Sequence, residues 1–414
     1  MKTVEIFCIG TELLSFNKTD TNSLWLAEKL ESMGFCVIAK HIVKDDVNLL
    51  QRLIRQELHN TDIIITIGGL GPTQDDVTCQ AVCQAINKEL VFTENIWESI
   101  QQRFMQRKRS LPDITKVQAY IPEGSDYFLN KVGSAPGTWT SYQNNIIIML
   151  PGPPLEMIPM CENDVLPKLE QLIEEPKPAR LYYGTAGLPE SLVEEKLFPF
   201  YQKFNELQVT LLASPGQVDI YILIINENAS IRETLIQEVD KEIMLILKDY
   251  IYTRTEKSLE EVAGELLTRH KKTLAIAESC TGGLLGNRIT NISGSSEYFE
   301  RGIISYSNES KIELLNVPAF LINTYGAVSK EVALAMAEGI KINAHVDIGL
   351  AITGIAGPSG STPEKPVGTV HLALAAEEDT LHQHHIFLGN RAQIKYASTQ
   401  FALNMLRKYL IGIK

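Results

Sequence analysis

A regular alternation of short apolar runs with amphipathic stretches over the first 170 residues constrains the fold more than any other feature. Strand-like and helix-like stretches follow each other in the order 4–10, 21–33, 35–42, 49–58, 62–67 and from about 77 onward. Strands that alternate with helices of this length are typical of a parallel sheet with helices on both faces. The sequence therefore predicts an N-terminal doubly wound α/β domain.

A hairpin and a linker end this first unit. The apolar runs 138–142 and 146–150 flank Gln143-Asn-Asn, and a further helix is expected up to about Leu172. The Glu-Glu-Pro-Lys-Pro run at 174–178 has the composition of a linker. We therefore predict a first domain over 1–173.

Two smaller units follow the linker. Over 179–252 the pattern of strand, helix, two strands and helix predicts a small α+β module, with its clearest strand at 218–225 and its clearest helix at 231–247. A capping box that begins at Ser258 opens a third unit over 256–414. In that unit we expect an α/β domain with helices at 259–268 and 391–410 and strands at 273–277, 302–306, 348–352, 368–375 and 384–387.

Composition excludes several classes of protein. Fifty acidic and 38 basic residues give a net charge of −12, so the surface repels phosphate backbones and direct nucleic-acid binding is not expected. No apolar run approaches membrane-spanning length, and the first residues lack the apolar core of a signal peptide. These observations indicate a cytoplasmic, non-membrane protein.

Neither the cysteines nor the clustered histidines indicate a metal site. Cys79 and Cys83 have helical spacing but no second pair to complete a zinc site, so reduced thiols are expected. Strand alternation would place His382 and His384 on one face and turn His385 away, with nothing obvious to complete a ligand set. A structural role for these histidines is the simpler interpretation.

Ser279 follows an apolar strand and precedes a helix, which is where open α/β sheets place their ligands. Gly282 and Gly283 would allow backbone N–H groups to approach an oxyanion or a phosphate at the helix start. The alternative is an ordinary tight turn in which Ser279 caps the helix. The Ser-Cys-Thr-Gly-Gly run at 279–283 is thus a candidate active site.

Two further clusters support a site. Tyr306 is predicted to end a strand and Lys311 to follow it, and a lysine whose pKa is lowered can accept the proton of a serine hydroxyl. Taken alone, Lys311 is more simply interpreted as a solvated residue at a helix start. The third cluster, 353–360, ends another strand in a glycine-rich turn of the kind that binds phosphate or ribose, although a plain connection is equally consistent.

Five motifs in the C-terminal third, over 277–283, 294–311, 325–331, 351–360 and 365–370, closely resemble the C-terminal domain of the CinA family in order and spacing. The resemblance implies hydrolysis of the carboxamide of nicotinamide mononucleotide to nicotinic acid mononucleotide and ammonia, without a cofactor. It implies Ser279 as nucleophile, Lys311 as base and Tyr306 as its partner. The substrate contacts that it implies are Thr281, Gly282, Gly283, Thr353, Gly354, Gly357 and Arg391.

Two details of this site remain open in the sequence. Cys280, adjacent to Ser279, is a rival nucleophile, although strand alternation should turn its side chain away. The family resemblance implies that Arg391 meets the substrate phosphate, but the second arginine usual in the family is Lys395 here. Lysine retains the charge and loses the bidentate geometry.

A second motif, the glycine-rich run 68–78, follows the strand 63–67 and opens a helix, where an anionic group is commonly bound. The adjacent carboxylates of Asp75 and Asp76 are unusual for a phosphate site unless a cation mediates. A helix-capping aspartate beside a turn is the alternative.

With the motifs that begin at Gly10, Asp20, Gly133 and Leu150, this run resembles the N-terminal domain of the CinA family, which is related to molybdopterin-binding folds. The resemblance implies metal-dependent hydrolysis of ADP-ribose as a second activity. The ligand residues that it implies are Gly68, Gly69, Gly71, Asp75, Asp76, Thr78 and Gly137, with Asp75, Asp76, Glu12 and Glu156 as candidate divalent-metal ligands. Phe16 departs from the glycine usual in the first motif, which makes this activity less secure than the deamidase.

The resemblance gives the complete fold as an N-terminal doubly wound molybdopterin-binding-like domain, a KH-like α+β module and a C-terminal α/β deamidase domain. The middle module lacks the Gly-x-x-Gly clamp of RNA-binding KH domains, and we expect it to act as a spacer or interface. Nucleotides are the expected partners, and a homodimer is expected. The alternatives are an N-terminal pterin- or nucleotide-binding protein and a competence or DNA-damage adaptor without catalysis.

Overall fold

The computed structural model describes residues 2–15, 18–173, 178–225, 228–377 and 380–413. It divides into two compact units, Met1–Pro178 and Ala179–Lys414. Phe16 and most of the predicted linker, 174–177, lie outside the described residues. Within the described ranges, no helix is both long enough and apolar enough to cross a membrane.

The N-terminal unit contains a mixed sheet in the order β2-β1-β3-β8-β7-β6, with a separate two-stranded ribbon, β4-β5. Its strands are β1 (Thr3–Ile9), β2 (Cys36–Val43), β3 (Ile63–Ile67), β4 (Leu90–Phe92), β5 (Tyr120–Pro122), β6 (Asp126–Phe128), β7 (Gly137–Tyr142) and β8 (Asn145–Leu150). Its helices are α1 (Thr11–Ser15), α2 (Asn22–Met33), α3 (Val47–Glu57), α4 (Thr78–Ile86), α5 (Glu94–Gln106), α6 (Pro154–Met160) and α7 (Leu166–Glu170). A 3₁₀ segment covers Asp113–Ala119, and a short π-helix over Cys161–Val165 joins α6 to α7.

The predicted doubly wound arrangement is confirmed for the parallel strands β2, β1, β3 and β8. Along β1 the side chains alternate: Ile6 packs with α2 and α6 on one face, and Phe7 packs with α3 and α4 on the other. All five residues of β3 are buried, as expected for a strand covered on both faces. The predicted hairpin forms β7 and β8, which pair antiparallel.

The second unit begins with the predicted α+β module. Its elements are β9 (Ala179–Ala186), α8 (Glu190–Lys203), β10 (Gln208–Ser214), β11 (Gln217–Ile224), α9 (Ala229–Leu247) and β12 (Ile251–Thr253). The antiparallel sheet has the order β10-β11-β9-β12. Every second residue of β11 is buried against α8 and α9, which confirms the predicted arrangement and adds β12 as an edge strand.

The C-terminal part of the second unit has a five-stranded sheet in the order β14-β13-β15-β16-β17. Its strands are β13 (Leu274–Glu278), β14 (Phe299–Ile304), β15 (Ile348–Gly354), β16 (Thr369–Ala375) and β17 (Thr380–Ile386). Its helices are α10 (Leu259–His270), α11 (Leu284–Thr290), α12 (Asn308–Leu315), α13 (Ala319–Tyr325), α14 (Lys330–Ala344) and α15 (Arg391–Leu410). Helices α10, α11 and α15 cover one face, and α12 to α14 cover the other.

Strands β14, β13 and β15 are parallel neighbours, so their carboxyl ends meet at one edge of the sheet. The Ser279 turn follows β13, the segment that contains Lys311 follows β14, and Gly354 ends β15. One prediction about β14 is wrong: this strand pairs with β13 from Phe299 and ends at Ile304, so Tyr306 lies beyond it. The Tyr306 side chain is exposed.

Candidate functional site

Ser279 and Lys311 lie together in the second unit. The Nζ atom of Lys311 lies 3.2 Å from the Oγ atom of Ser279, although the two residues are 32 positions apart in the chain. Lys311 is 1% exposed and Ser279 is 9% exposed. Helix α12 carries Lys311, and its start is fixed by Ser307, whose side chain accepts a hydrogen bond from the Ser310 N–H group.

The Nζ atom of Lys311 is buried among hydrogen-bond acceptors. Besides Ser279, its Nζ atom contacts the backbone carbonyl oxygens of Ser305 at 2.7 Å and of Tyr306 and Ser307, each at 3.4 Å. All of these partners are uncharged. Burial therefore lowers the pKa of Lys311 below its ordinary value, because the charged form loses hydration. A buried amine beside a serine hydroxyl is chemically suited to act as a general base.

Glu278 occupies the start of helix α11, where an oxyanion or phosphate was expected. Its carboxylate accepts hydrogen bonds from the N–H groups of Gly283 at 3.0 Å, Leu285 at 3.1 Å and Gly286 at 2.9 Å. The Gly282 N–H group donates to the Ser279 carbonyl at 3.2 Å. In this structure the N–H groups of Gly282 and Gly283 thus have partners within the protein, because the chain supplies its own anion at this helix start, and their contact with a substrate stays a prediction.

These bonds fix the turn after Ser279. Gly282 and Gly283 have φ values of +61° and +94°, in the left-handed region that glycine adopts without strain. Within the described chain, the N–H groups of Cys280 and Thr281 donate to no backbone carbonyl. Both groups belong to residues directly after Ser279, so they are candidate donors to a developing oxyanion. The Thr281 hydroxyl is fully buried and has no partner among the described residues.

The geometry of Cys280 disfavours it as a nucleophile. Its side chain is buried, and burial raises the pKa of the thiol to about 12. A Cβ atom built on Gly354 would lie 3.1 Å from the Cys280 Sγ atom, so the thiol packs against the end of β15. A thiol that stays protonated is a poor nucleophile at neutral pH.

Tyr306 does not reach Lys311 through its phenol. The side chain is 62% exposed, and its hydroxyl accepts a hydrogen bond from the Arg391 Nη2 atom at 3.0 Å. Only the Tyr306 backbone carbonyl contacts Lys311. In this arrangement the Tyr306 phenol therefore contacts Arg391 and not Lys311, and a catalytic role of Tyr306 beside Lys311 stays a prediction.

Arg391 and Lys395 form a basic group at the start of α15. The Arg391 Nη1 atom donates to the Gly357 carbonyl at 2.8 Å, which ties this helix to the predicted glycine-rich turn. Lys395 lies one helical turn further on, and its Nζ atom is 3.7 Å from the position of a Cβ atom on Gly282. Two cations therefore lie beside the Ser279 turn.

Thr353 and Gly354 have packing roles in this structure. Thr353 is fully buried, and its hydroxyl donates to the Ala327 carbonyl at 2.8 Å. Because this hydroxyl proton is already engaged, Thr353 is not available as a donor to an oxyanion here. A Cβ atom on Gly354 would lie 2.8 Å from the Thr369 carbonyl oxygen, so only glycine fits at the end of β15.

His371 joins the predicted histidine pair on the β16–β17 hairpin. Its Nδ1 atom is 2.9 Å from the His382 Nε2 atom, and its ring stacks on His384 with centroids 4.6 Å apart. Burial lowers the pKa of His371 to about 4, so its ring is neutral at physiological pH. Across the ranges that the structure describes, no three His, Cys, Asp or Glu residues are arranged to hold a metal ion.

A cavity of about 600 Å³ in the N-terminal unit contains most of the second predicted site. The predicted residues that line it are Glu12, Gly68, Gly69, Gly71, Asp75, Asp76 and Glu156. Two of the predicted residues have internal roles instead. Thr78 is buried and donates to the Gly68 carbonyl at 2.8 Å, and Gly137 packs under the Met160 side chain.

The four predicted metal ligands line this cavity but do not converge. The Asp76 carboxylate accepts from the Gly71 N–H at 2.7 Å and from the Thr73 N–H at 2.8 Å, and Glu156 accepts from the Asn130 side chain at 2.7 Å. Among the described residues no group of three ligands forms. The carboxylates therefore do not fit a metal centre built from protein ligands alone.

The cavity lining also contains polar residues that were not predicted as site residues. Among them are Gln118, in the 3₁₀ segment, and Asp45, before α3. Gln118 belongs to no motif, and Asp45 is adjacent to Asp46, which caps α3. Nothing in the local sequence distinguishes either residue from an ordinary polar loop residue.

Three protein-family models match the chain. The CinA C-terminal domain matches residues 256–410, a probable molybdopterin binding domain matches 5–171, and the damage-inducible protein CinA KH domain matches 182–253. Solved structures with similarity include a competence/damage inducible protein from Agrobacterium tumefaciens, with 38% identity, 37% coverage of this chain, 96% of that chain and a TM-score of 0.35.

Relatives with curated names match over nearly their whole length. A CinA-like protein from Solibacter usitatus is 39% identical over 99% of this chain and 98% of its own. A putative competence-damage inducible protein from Caldicellulosiruptor bescii is 40% identical over 98% of this chain and 99% of its own. With an N-terminal molybdopterin-binding-like domain, a KH-like module and a CinA C-terminal domain, the chain belongs to the CinA family.

Proposed function

We propose that the C-terminal part of the chain hydrolyses the carboxamide of nicotinamide mononucleotide, giving nicotinic acid mononucleotide and ammonia. The observation that carries the proposal is the 3.2 Å contact between Lys311 Nζ and Ser279 Oγ. Lys311 is buried among neutral oxygens, so its amine can be uncharged and can accept a proton.

In the acylation step, Lys311 takes the Ser279 hydroxyl proton while Oγ attacks the carboxamide carbon. The carbonyl oxygen becomes an oxyanion, for which the N–H groups of Cys280 and Thr281 are the candidate donors. As the tetrahedral intermediate collapses, the carbon–nitrogen bond breaks, and the Lys311 ammonium returns its proton to the leaving nitrogen. Ammonia departs and leaves a nicotinoyl ester on Ser279.

In the deacylation step, water takes the place of ammonia. Neutral Lys311 removes one proton from this water, whose oxygen attacks the ester carbon, and the bond between this carbon and Ser279 Oγ breaks. The proton returns from Lys311 to Ser279 Oγ, and nicotinic acid mononucleotide forms as the carboxylic acid, which gives its proton to solvent water and becomes the carboxylate. One lysine thus acts as base and then acid in both halves of the reaction.

Arg391 and Lys395 are proposed to bind the phosphate of the mononucleotide. Both lie at the start of α15, and Lys395 is close to the Gly282 backbone. The start of α11 is already occupied by the Glu278 carboxylate, so it would repel a phosphate. The basic pair at α15 is therefore the preferred position for that group.

Ammonia release from nicotinamide mononucleotide tests the proposal. Wild type should release ammonia, and Ser279→Ala should lose this activity. Ser296→Ala, an exposed serine in the same domain, is the matched control and should retain it. If the Ser279→Ala protein releases ammonia as fast as wild type, Ser279 is not the nucleophile.

A second candidate function is hydrolysis of ADP-ribose at the N-terminal cavity. Its support is that seven residues predicted for that activity line one cavity of about 600 Å³. In this proposal a divalent cation would take much of its coordination from phosphate oxygens and water, because the protein carboxylates do not converge. Absence of metal-dependent ADP-ribose turnover by wild type would contradict this function, and turnover unchanged in Asp75→Asn and Glu12→Gln together would exclude this cavity as its site.

A further inference from the structure

Helix α11 carries a buried arginine that contacts two other helices. Arg288, in the last turn of α11, is 5% exposed. Its Nε and Nη2 atoms donate to the Glu260 carboxylate of α10, at 3.2 Å and 2.7 Å. Its Nη1 atom donates to the Thr399 hydroxyl at 2.8 Å, and Nη2 also donates to the side-chain oxygen of Gln400 at 2.6 Å. Arg288 therefore joins α11 to α10 through an ion pair and to α15 through two neutral acceptors.

Helix α11 is fixed to the Ser279 turn at its other end. The Glu278 carboxylate, directly before Ser279, accepts three backbone N–H groups from the start of this helix. Arg288 lies at the opposite end of the same short helix. A displacement of α11 therefore also displaces the turn that carries Ser279.

Helix α15 carries the two proposed phosphate ligands on the face that contacts α11. Arg391, Lys395 and Thr399 are four residues apart, so they lie along one face of the helix. Lys395 is beside the Gly282 backbone, and Thr399, one turn further on, is bonded to Arg288. Arg391 is exposed, whereas Thr399 is fully buried. The contact with Arg288 thus lies where the exposed, basic end of α15 meets its buried part.

A buried ion pair can serve stability alone, and the pair of Arg288 with Glu260 is consistent with that role. The two contacts with α15 have a further consequence. A mononucleotide must reach the Ser279 turn with its carboxamide and the start of α15 with its phosphate. The separation of α11 from α15 therefore decides whether the bound phosphate places the carboxamide carbon at Ser279.

We propose that Arg288 is a positioning residue that sets this separation, and that it thereby makes the enzyme prefer the phosphorylated nucleoside to the unphosphorylated one. Arg288 acts through α15 and needs no contact with the substrate. The inference rests on the proposed amide hydrolysis in the C-terminal part of the chain. It deepens that proposal by naming a residue that determines specificity.

The variants Gln400→Met and Gln400→Glu form a matched pair for the contact with Arg288. Both lose the amide N–H group that Gln400 donates to Gln217 at 2.9 Å, but only glutamate keeps an oxygen that accepts from Arg288. Ammonia release gives kcat/KM for nicotinamide mononucleotide and for nicotinamide riboside. We expect Gln400→Met to lower the value for the mononucleotide about tenfold or more and that for the riboside less than about threefold. Gln400→Glu should keep the wild-type ratio of the two values.

A second variant covers the case in which Gln400→Met does not fold. Thr399→Val removes the other acceptor on α15 with little change in side-chain shape, and it should lower the same ratio. Arg269→Met, at an exposed arginine of α10, is the control and should leave both substrates unchanged.

The wild-type rate separates this inference from the proposed function. If wild type hydrolyses the mononucleotide and the α15 variants lower both substrates equally, or neither, Arg288 has only a structural role and the inference is overturned. The same holds if Gln400→Glu loses the preference as Gln400→Met does, because the contact with Gln217 would then be the one that matters. Absence of ammonia release by wild type would overturn both the inference and the proposed function.

Discussion

Lys311 Nζ and Ser279 Oγ lie 3.2 Å apart at the carboxyl edge of a sheet whose strands bring them together from distant parts of the chain. Ser279 follows β13 and Lys311 follows the parallel neighbour β14, so strand pairing itself sets this distance. Burial lowers the pKa of this lysine below its ordinary value, because the charged form loses hydration. The pairing of β13 with β14 and the proposed proton transfer thus depend on the same contact between Lys311 and Ser279.

Replacing Lys311 by Met should abolish most amide hydrolysis. The side chain keeps its length but loses the lone pair that takes the serine proton, and a general base contributes about 10²–10⁴-fold to the rate. We expect kcat to fall within this range. Lys241→Met, an exposed lysine on α9, should leave kcat unchanged. A folded Lys311→Met protein with wild-type kcat would rule out Lys311 as the base.

The pH dependence of kcat/KM should contain a rising limb that belongs to Lys311. Only the neutral amine accepts a proton, so activity increases as pH rises through the pKa of this residue. Burial lowers this pKa from the ordinary value of 10.5, and the limb should be centred below that value. Rates measured across the alkaline range check this. A limb centred at or above 10.5 would contradict the inferred environment.

Much of this site could be predicted from the sequence because strand ends and glycine-rich turns are local features. Ser279 was expected at the end of a strand and Lys311 after the end of another, and the structure brings the two together. The hydrogen-bond partner of each side chain could not be predicted in the same way. The Glu278 carboxylate folds back onto the helix start, and the Tyr306 phenol turns toward Arg391, because tertiary packing decides which partner is within reach.

In the fold, too, some features can be predicted from the local sequence, and others depend on tertiary packing. The parallel strands and the capping box at Ser258 follow from periodicity and short motifs, and both are present. Strand β14 pairs with β13 from Phe299 to Ile304, and pairing between strands is tertiary information that the residues of β14 alone do not supply. Gln118 reaches the N-terminal cavity through a 3₁₀ segment that carries no motif.

Cys280→Ala should retain amide hydrolysis. Burial raises the pKa of this thiol to about 12, so the thiolate is scarce at neutral pH, and Ser279 rather than Cys280 adjoins the Lys311 amine. We expect kcat to remain within about tenfold of wild type, with any loss due to packing against Gly354. Loss of activity as complete as that in Ser279→Ala would instead identify the thiol as the nucleophile.

Glu278→Gln should lower kcat without a matching change in KM. The carboxylate holds three N–H groups of the turn and helix after Ser279, and an amide would turn a donor toward one of them. The resulting cost of about 1–3 kcal/mol should loosen the position of Ser279 relative to Lys311. Thermal unfolding measured beside kinetics separates stability from positioning. Glu297→Gln, at an exposed carboxylate, is the control, and equal kinetics in both variants would exclude a positioning role.

Arg391→Ala should weaken binding of the mononucleotide through its phosphate. A charge-assisted hydrogen bond is worth about 1.5–3 kcal/mol, which corresponds to an increase in KM of roughly 10–100-fold. Nicotinamide riboside lacks the phosphate, so its kcat/KM should change far less in the same variant. Tyr306→Phe removes only the hydroxyl that Arg391 contacts and should have a smaller effect on either substrate. Equal losses for both substrates in Arg391→Ala would show that Arg391 supports the Gly357 turn, which it also contacts, and does not bind the phosphate.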